Sequence, residues 1–313
     1  MRYPLKTPYR DGTTHVLFEP VDFIARLAAL VPKPRVNLTH PPPRGVRPEQ
    51  PRPRTGHPGP ARAAIRDVFI GHVIGGKGLS RGSRFARLVA CATPDAVLAG
   101  VEVVADVLGR APGAAGDILV LDVGGATTDV YSVLDPGDGP ATRAVGALWR
   151  GRTVEGDLGM RSSAPDVVAA ARAERLLDGA AADRLEQAAR RRRDDVAMLP
   201  AGEQDTADDL ALARLAATVA VRRHARPGPE GGRDLTRVGL VVGSGGVLRH
   251  AAPGPAAEVI SAVLGDYSGG WPVPAAARAL IDRRYLLAPI GLLAITGRAD
   301  LARAVAAQLL ART

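Results

Sequence analysis

The clearest pattern of apolar and polar positions in this 313-residue chain runs from Asp117 to Val133. Five of its first seven residues are aliphatic, a cluster of glycine, threonine and aspartate follows, and the segment closes on the alternating Val-Tyr-Ser-Val of residues 130–133. An aliphatic run that stops at glycines and resumes with alternation predicts a strand, a tight turn and a second strand. We expect the rest of the fold to form around this hairpin.

Helical spacing is clearest in the segment just before the hairpin. Thr93 suits an N-cap, Pro94 the first turn and Gly109 the C-terminal end, so a helix is predicted over 93–109. Strands are further predicted over 68–73, 142–148 and 238–242, with a loop over 75–80. Ala- and Arg-rich helices are predicted over 165–228, including 205–222 and a solvated helix end at 190–193, and further helices over 256–264, 275–285, 289–293 and 299–310.

The net charge of +9 changes this picture little once it is located along the chain. Residues 1–66 hold 12 Lys and Arg against 4 Asp and Glu, a surplus of 8, so the remaining chain is nearly neutral. Because the charge belongs to the N-terminal segment, it does not predict a nucleic-acid surface on the folded part. A single cysteine excludes an internal disulfide, and the chain shows neither a signal-peptide pattern nor an 18-residue apolar run, which predicts a cytoplasmic protein.

The N-terminal segment divides into a small fragment and a linker. Residues 1–39 predict a strand at 15–18 and a helix at 21–30, and the stretch from Tyr3 to Thr39 resembles the C-terminal part of rolling-circle (insertion-sequence) transposases, without a metal-binding His pair. Residues 40–62 are rich in Pro and Arg, and 13 of the 26 prolines lie in the first 60 residues. Proline blocks helices and strand ladders, so this segment is predicted to be an extended, disordered linker before a folded domain at 63–313.

The turn of the hairpin carries the most specific chemistry. Its glycines allow a ligand to approach the main chain, where N–H groups can bind an anion, and its threonines add hydroxyl donors. Two carboxylates beside a phosphate require a divalent cation such as Mg²⁺, held largely through water. The turn alone would also suit an ordinary hairpin. The candidate residues are Asp122 and Asp129 for metal and catalysis, and Gly124, Gly125, Ala126, Thr127 and Thr128 for phosphate.

Two further glycine segments follow strand-like sequence. Gly243, Ser244, Gly245 and Gly246 come after the buried run 238–242 and before a helix, so a ribose or adenine could approach the backbone there. At Gly156, Asp157, Leu158 and Gly159 the chain resembles the ATPase superfamily that contains actin, which implies a turn that opens a helix near a nucleotide. Each motif is weak alone, and together they predict a nucleotide site.

The hairpin motif Asp-Val-Gly-Gly-Ala-Thr-Thr-Asp-Val resembles the second phosphate motif of the ATPase superfamily of actin, sugar kinases and 70-kDa heat-shock proteins. With Thr-Val-Glu-Gly-Asp-Leu-Gly-Met-Arg at 153–161 it is similar to the glutamate mutase L (GlmL, or MutL) family, from about residue 68 onward. The resemblance implies an α/β, ribonuclease-H-like (actin-like) ATPase lobe with an inserted helical subdomain, ATP and Mg²⁺ as cofactors, and a chaperone-type accessory role toward an adenosylcobalamin-dependent mutase subunit. It leaves open which arginine contacts adenine.

The superfamily's first phosphate motif is not found before Asp117, where the transposase-like segment and linker stand instead. This suggests a truncated family member, and leaves ATP hydrolysis an open question. Two other interpretations are a non-catalytic remnant of a gene fusion and a DNA-binding protein related to transposition, although nucleic acid is the less favoured partner. Oligomeric state is not predicted.

Overall fold

The computed structural model describes residues 2–4, 15–17, 91, 93–110, 116–134, 150–226 and 233–311. In the first compact unit, residues 1–56, β1 (Arg2–Pro4) pairs antiparallel with β2 (His15–Leu17), which agrees with the predicted strand at 15–18. The second unit, residues 57–313, holds every other element that the structure describes. The segments predicted at 21–30, 40–62, 68–73, 75–80 and 142–148 lie outside the described residues.

The second unit is built on a five-stranded mixed sheet. Its strands are β3 (Ile118–Val123), β4 (Thr128–Val133), β5 (Arg150–Glu155), β6 (Leu240–Ser244) and β7 (Arg278–Ile281), in the order β5-β4-β3-β6-β7. β3, β6 and β7 are parallel, whereas β4 runs antiparallel to both β3 and β5. The carboxyl ends of β3, β5, β6 and β7 therefore share one edge of the sheet with the β3–β4 turn.

Eight α-helices are described. In chain order they are α1 (Thr93–Gly109), α2 (Ala164–Ala173), α3 (Gly179–Asp194), α4 (Glu203–Ala225), α5 (Gly246–His250), α6 (Pro253–Leu264), α7 (Leu287–Ile295) and α8 (Ala299–Leu310). Within the described part of the chain, no helix combines the length and apolarity that a membrane span requires.

Alternation along β3 divides the core between the two faces of the sheet, because successive strand residues point to opposite sides. Leu119 and Leu121 pack with α2, α3, α4 and α6, on what we call the α4 face. Ile118 and Val120 pack with α1, α7 and α8, on the α7 face. All four side chains are fully buried, as expected for a central strand covered on both sides. The predicted α/β class is confirmed.

Several predicted elements have the bounds that the structure shows, and others do not. The helices at 93–109 and 299–310 and the hairpin are confirmed. The helix predicted over 275–285 is wrong, because Arg278–Ile281 forms strand β7 beside β6. A strand that was not predicted is found at Arg150–Glu155, directly before the turn predicted at 156–159. The helix end at 190–193 is not wholly solvated, because Arg192 is 1% exposed.

Candidate functional site

The β3–β4 turn, residues 124–127, forms the centre of the site and is called the glycine turn below. The Gly124 N–H donates to the Thr127 carbonyl at 2.9 Å, which closes the turn. The outward carbonyls are held by the segment after β5, since the Met160 N–H donates to Gly124 at 3.0 Å and the Arg161 N–H to Gly125 at 2.8 Å.

The N–H groups of the glycine turn are only partly available to a ligand. The Gly124 N–H is used inside the turn, contrary to its expected role as an anion donor. Among the described residues, nothing accepts the N–H groups of Gly125, Ala126 and Thr127. Gly125 and Ala126 are exposed. Three successive donors at an exposed turn are suited to an anion.

Close packing fixes this turn against the segment that follows β5. A Cβ on Gly159 would lie 2.3 Å from the carbonyl carbon and oxygen of Ala126, so glycine is required there. The Thr128 hydroxyl is fully buried and donates to the Leu158 carbonyl at 2.6 Å. Thr128 therefore joins two segments of the protein, and its hydroxyl does not face the ligand position expected from the sequence.

The second glycine loop, residues 243–246, lies directly beside the glycine turn. Gly245 has φ of 101°, and a Cβ there would lie 2.2 Å from the Val123 carbonyl oxygen, so both the conformation and the contact require glycine. Ser244 is 8% exposed and stands next to Asp122 in the parallel register of β3 and β6. Gly246 is exposed, whereas Gly243 is buried.

Gly243 is closely packed against the core of the protein. A Cβ at this position would lie 2.8–2.9 Å from side-chain atoms of Leu248, Ile260 and Ile281. The backbone of β6 is therefore pressed against the core at this point. Of the four predicted loop residues, Gly246 is the one that lines open space.

A cleft of about 560 Å³ lies between the two glycine loops and the helices of the α4 face. Gly124, Gly125 and Arg161 line one end, Gly246, Val247 and His250 another, and residues 199–210 close the side. Leu199, Pro200, Leu210, Val247 and Met160 make much of its wall apolar. A cleft of this size with apolar walls and a few polar groups is typical of small-molecule sites.

The two predicted carboxylates face each other at the end of the hairpin, on the α7 face. Asp122 and Asp129 are direct partners in the antiparallel register. Like charges in that arrangement repel. Arg152 lies 3.4 Å from the Asp129 carboxylate and stacks over the Tyr131 ring, 5.5 Å from its centroid. The carboxylates and the apolar cleft thus lie on opposite faces of the sheet and meet at the glycine turn.

Burial and nearby acids change the protonation of this pair. Desolvation, followed by the charges of Asp129 and Asp282, raises the pKa of Asp122 to about 6, against the lowering effect of Arg152. Desolvation also raises the pKa of Asp129, opposed by Arg152. Asp282 is itself buried, and its carboxylate accepts the N–H groups of Leu286 and Leu287 at the start of α7. In the described part of the chain, the carboxylates at this site therefore outnumber the cations beside them, and Arg152 only partly opposes the rise in pKa of Asp122 and Asp129.

The remaining predicted residues lie after β5. Asp157 accepts two hydrogen bonds from Arg223 of α4, at 2.7 and 3.0 Å, and Arg223 also binds Glu155 at 2.7 Å. Gly156 is exposed, and its carbonyl accepts the Ser163 hydroxyl at 2.8 Å. These two residues attach the helical layer to the sheet and do not line the cleft.

Sequence reasoning missed the side wall of the cleft. Leu199 and Pro200 lie in the connection between α3 and α4, where no motif distinguishes them. Asp209 and Arg161 could have been suspected, since Asp209 directly precedes the apolar run Leu210-Ala-Leu of a helix and Arg161 ends the segment at 153–161. Asp282 had no signal, because it was placed in a predicted helix.

These features define an α/β protein whose candidate site lies where two glycine loops meet at the carboxyl edge of its sheet. Residues 50–310 match the family described as MutL protein, and the chain belongs to this glutamate mutase L family. A curated relative, Protein MutL of Clostridium tetanomorphum, is 35% identical over 254 residues, covering 75% of this chain and 54% of the relative. The chain thus spans about half the length of that relative. No solved structure matches the present chain.

Proposed function

We propose that this chain binds Mg²⁺-ATP in the cleft between its two glycine loops, as a ribonuclease-H-like, actin-like ATPase lobe. The observation that carries the proposal is the convergence of three separate sequence segments, 123–125, 246–251 and 199–210, around one cleft. The strand order supports the fold assignment. In the five-stranded sheet, β4 is the second strand along the chain and the one strand that runs antiparallel to the others, as expected of a ribonuclease-H-like lobe.

The residues around the cleft suit the parts of a nucleotide. Its apolar walls are suited to a base, and Gly246 leaves room beside them for a ribose. The N–H groups of Gly125, Ala126 and Thr127 are placed to donate to phosphate oxygens. We propose that these residues of the chain bind the base, the ribose and the phosphates in this way.

The carboxylates fit a Mg²⁺ ion held through water. Asp122 and Asp129 face each other, and the described residues include no cluster of three or more His, Cys, Asp or Glu side chains that would enclose a metal. Mg²⁺ commonly keeps several waters and takes one or two carboxylates plus substrate phosphates. When bound, the ion would neutralise charge on the phosphates. Asp122 and Asp129 would orient its waters.

A binding titration tests this proposal. With a fluorescent ATP analogue, we expect saturable binding that requires Mg²⁺ and that Gly246→Val weakens strongly. A Cβ at Gly246 meets only the Tyr285 hydroxyl, at 4.0 Å, so this variant should fold while its side chain fills the cleft. Gly254→Ala, where a Cβ meets nothing within 4 Å, is the matched control. Binding that Gly246→Val leaves unchanged would place the ligand elsewhere.

We further propose that the chain acts in the cytoplasm as an accessory, chaperone-type protein of an adenosylcobalamin-dependent mutase, of the glutamate mutase type. Membership of the MutL family and the named relative support this role. The test is co-purification of the chain with a mutase subunit, with and without Mg²⁺-ATP. Recovery of activity by a mutase carrying inactivated cofactor, after addition of the chain, Mg²⁺-ATP and fresh adenosylcobalamin, would support the chaperone role. Failure of both would contradict it.

A further inference from the structure

Three charged residues join the elements around the cleft. Arg161 follows β5, Asp209 lies on α4 and Arg192 lies on α3. Arg161 and Asp209 line the cleft, and Arg192 lies behind them at 1% exposure. We call this set the Arg161 cluster.

The main chain of Arg161 is fixed to the glycine turn independently of its side chain. Its N–H donates to the Gly125 carbonyl at 2.8 Å. The preceding residue, Met160, donates in the same way to Gly124 at 3.0 Å. A substitution of the Arg161 side chain should therefore leave the glycine turn in place.

The side chain of Arg161 reaches the opposite wall. Its Nε donates to the Met198 carbonyl at 3.1 Å, immediately before the cleft residues Leu199 and Pro200. Its two terminal nitrogens donate to the Asp209 carboxylate at 3.0 and 3.3 Å. One residue thus connects the glycine turn, the α3–α4 connection and α4.

Asp209 is a rigid acceptor for this contact. It is 6% exposed, and Arg192 Nε also donates to its carboxylate, at 2.5 Å. Arg192 is held in turn by the carbonyls of Ala188 and Asp205, at 2.9 and 2.8 Å. Because the carboxylate is held from behind, the position of Arg161 is fixed by Asp209.

We propose that Arg161 is a positioning residue that couples phosphate binding at the glycine turn to base binding against Leu199 and Pro200. The inference rests on the proposed nucleotide site and adds the group that makes its two halves act together. Leu199 is 79% exposed, so little apart from this connection holds it over the cleft. A planar guanidinium that binds a carboxylate and a carbonyl together is not replaced by an ammonium.

The test compares two ligands that share a phosphate chain. Dissociation constants are measured for Mg²⁺-ATP and Mg²⁺-tripolyphosphate in wild type, Arg161→Lys and Arg161→Met. We expect Arg161→Met to lose on the order of 10-fold in ATP affinity while tripolyphosphate affinity changes by less than about 2-fold. Arg161→Lys should lose nearly as much ATP affinity, because an ammonium lacks the planar guanidinium that binds the carboxylate and the carbonyl together. Arg190→Met removes an exposed ion pair with Glu186 on α3 and should change neither constant.

A second variant leaves the side chains of the Arg161 cluster unchanged. Leu199→Ser is at an exposed position and should fold normally, yet weaken ATP binding alone. In the Arg161→Met background it should have little further effect, because the wall is already released. Equal losses for ATP and tripolyphosphate in Arg161→Met, or additive effects of the two substitutions, would overturn the coupling while leaving the nucleotide site intact. A wild type that binds neither ligand would overturn both.

Discussion

At the scale of single residues, Asp122 is held in an unfavourable charge state at neutral pH. Its pKa in the folded protein, about 6, lies above the ordinary value of 3.8, so the unfolded chain releases this proton first and stability falls as the pH rises from about 4 to about 6, above which the full cost remains. Below about pH 4 the group is protonated in both the folded and unfolded states, and this cost disappears. Repulsion from Asp129 and Asp282 and burial are tolerated because, in our account, a cation offsets them when ligand binds.

Asp122→Asn should therefore stabilise the ligand-free protein. We expect a gain of about 1–2 kcal/mol in the free energy of unfolding at pH 8, and little difference near pH 4. Urea unfolding at both pH values measures this, with Asp300→Asn at an exposed position as the control. Destabilisation at pH 8 would indicate that the Asp122 carboxylate makes a favourable contact without ligand.

His224 acts in the opposite direction. It is fully buried, with its ring nitrogens 2.9 Å from the Ser132 hydroxyl and 3.0 Å from the Thr153 hydroxyl. Burial, helped by the charge of Arg233, lowers its pKa to about 3 from 6.5. Between those values the unfolded chain takes up a proton that the folded protein does not, so stability falls as the pH falls.

We expect this loss to reach about 1.4 kcal/mol per pH unit below 6.5. It is best measured by urea unfolding in the Asp122→Asn background, where the opposing dependence is absent. His224→Gln in that background should flatten the curve between pH 6.5 and 4. An unchanged slope would mean that other groups cause it.

Gly245 carries the backbone constraint of the site. Gly245→Ala must place a side chain at φ of 101° and against the Val123 carbonyl. We expect a loss of about 2–4 kcal/mol of stability, from the strained conformation and the close contact together. Chemical denaturation of this variant beside Gly254→Ala measures it. A loss below about 1 kcal/mol would show that the loop relaxes easily.

Sequence patterns predicted where the site lies better than they predicted which contacts each of its residues makes. Glycine spacing located both loops, because glycine is needed where main chains approach. It could not show that Thr128 bonds Leu158 or that Asp157 binds Arg223, since these partners lie 30 and 66 residues away. The cleft wall at Leu199 was unpredictable for the same reason. It is apolar surface brought in by tertiary packing.

At the scale of elements, sequence reasoning succeeded where local signals and burial agree. Helices α1 and α8 have apolar stripes and were placed correctly. Strand β7 has the sequence Arg-Ala-Leu-Ile within an Ala- and Arg-rich stretch that favours a helix, and only pairing with β6 makes it a strand. Edge strand β5 is polar and equally weak locally. Tertiary context overrides propensity in both cases.

A buried ion pair holds the helical layer together. Arg222 on α4 donates to Asp266 at 2.6 Å from two nitrogens and to Glu174 after α2 at 3.3 Å, and its side chain is 4% exposed. Hydrogen bonds from Arg222 and Ser268 lower the pKa of Asp266 against the effect of burial. Removing one partner leaves the other charge buried and uncompensated.

Arg222→Met should therefore cost about 3–5 kcal/mol of stability. The exposed pair of Arg190 and Glu186 provides a control on a neighbouring helix, and Arg190→Met should change stability by less than about 0.5 kcal/mol. Thermal and urea unfolding of the two variants make the comparison. Similar values for both would mean that the buried pair is replaceable by apolar packing.

At the scale of the whole molecule, the sheet separates two tasks. Helices cover both faces, but the α4 face carries the apolar cleft and the α7 face carries the carboxylates. The glycine turn joins them at the edge of the sheet. The predicted transposase-like segment at 1–39 and the linker at 40–62 stay predictions, although the family match begins at residue 50 and overlaps the linker.

The most direct test of this account is the thermal midpoint of the whole chain with and without millimolar Mg²⁺-ATP, for wild type and Asp122→Asn. A ligand at a hundred times its dissociation constant stabilises the native state by about 2.7 kcal/mol, which corresponds to a rise of about 5 °C at this size. We predict that rise for the wild type, and a much smaller one for Asp122→Asn, which lacks a carboxylate that we propose orients the waters of Mg²⁺. No shift in the wild type, or an equal shift in both proteins, would contradict a Mg²⁺-nucleotide site at the glycine turn.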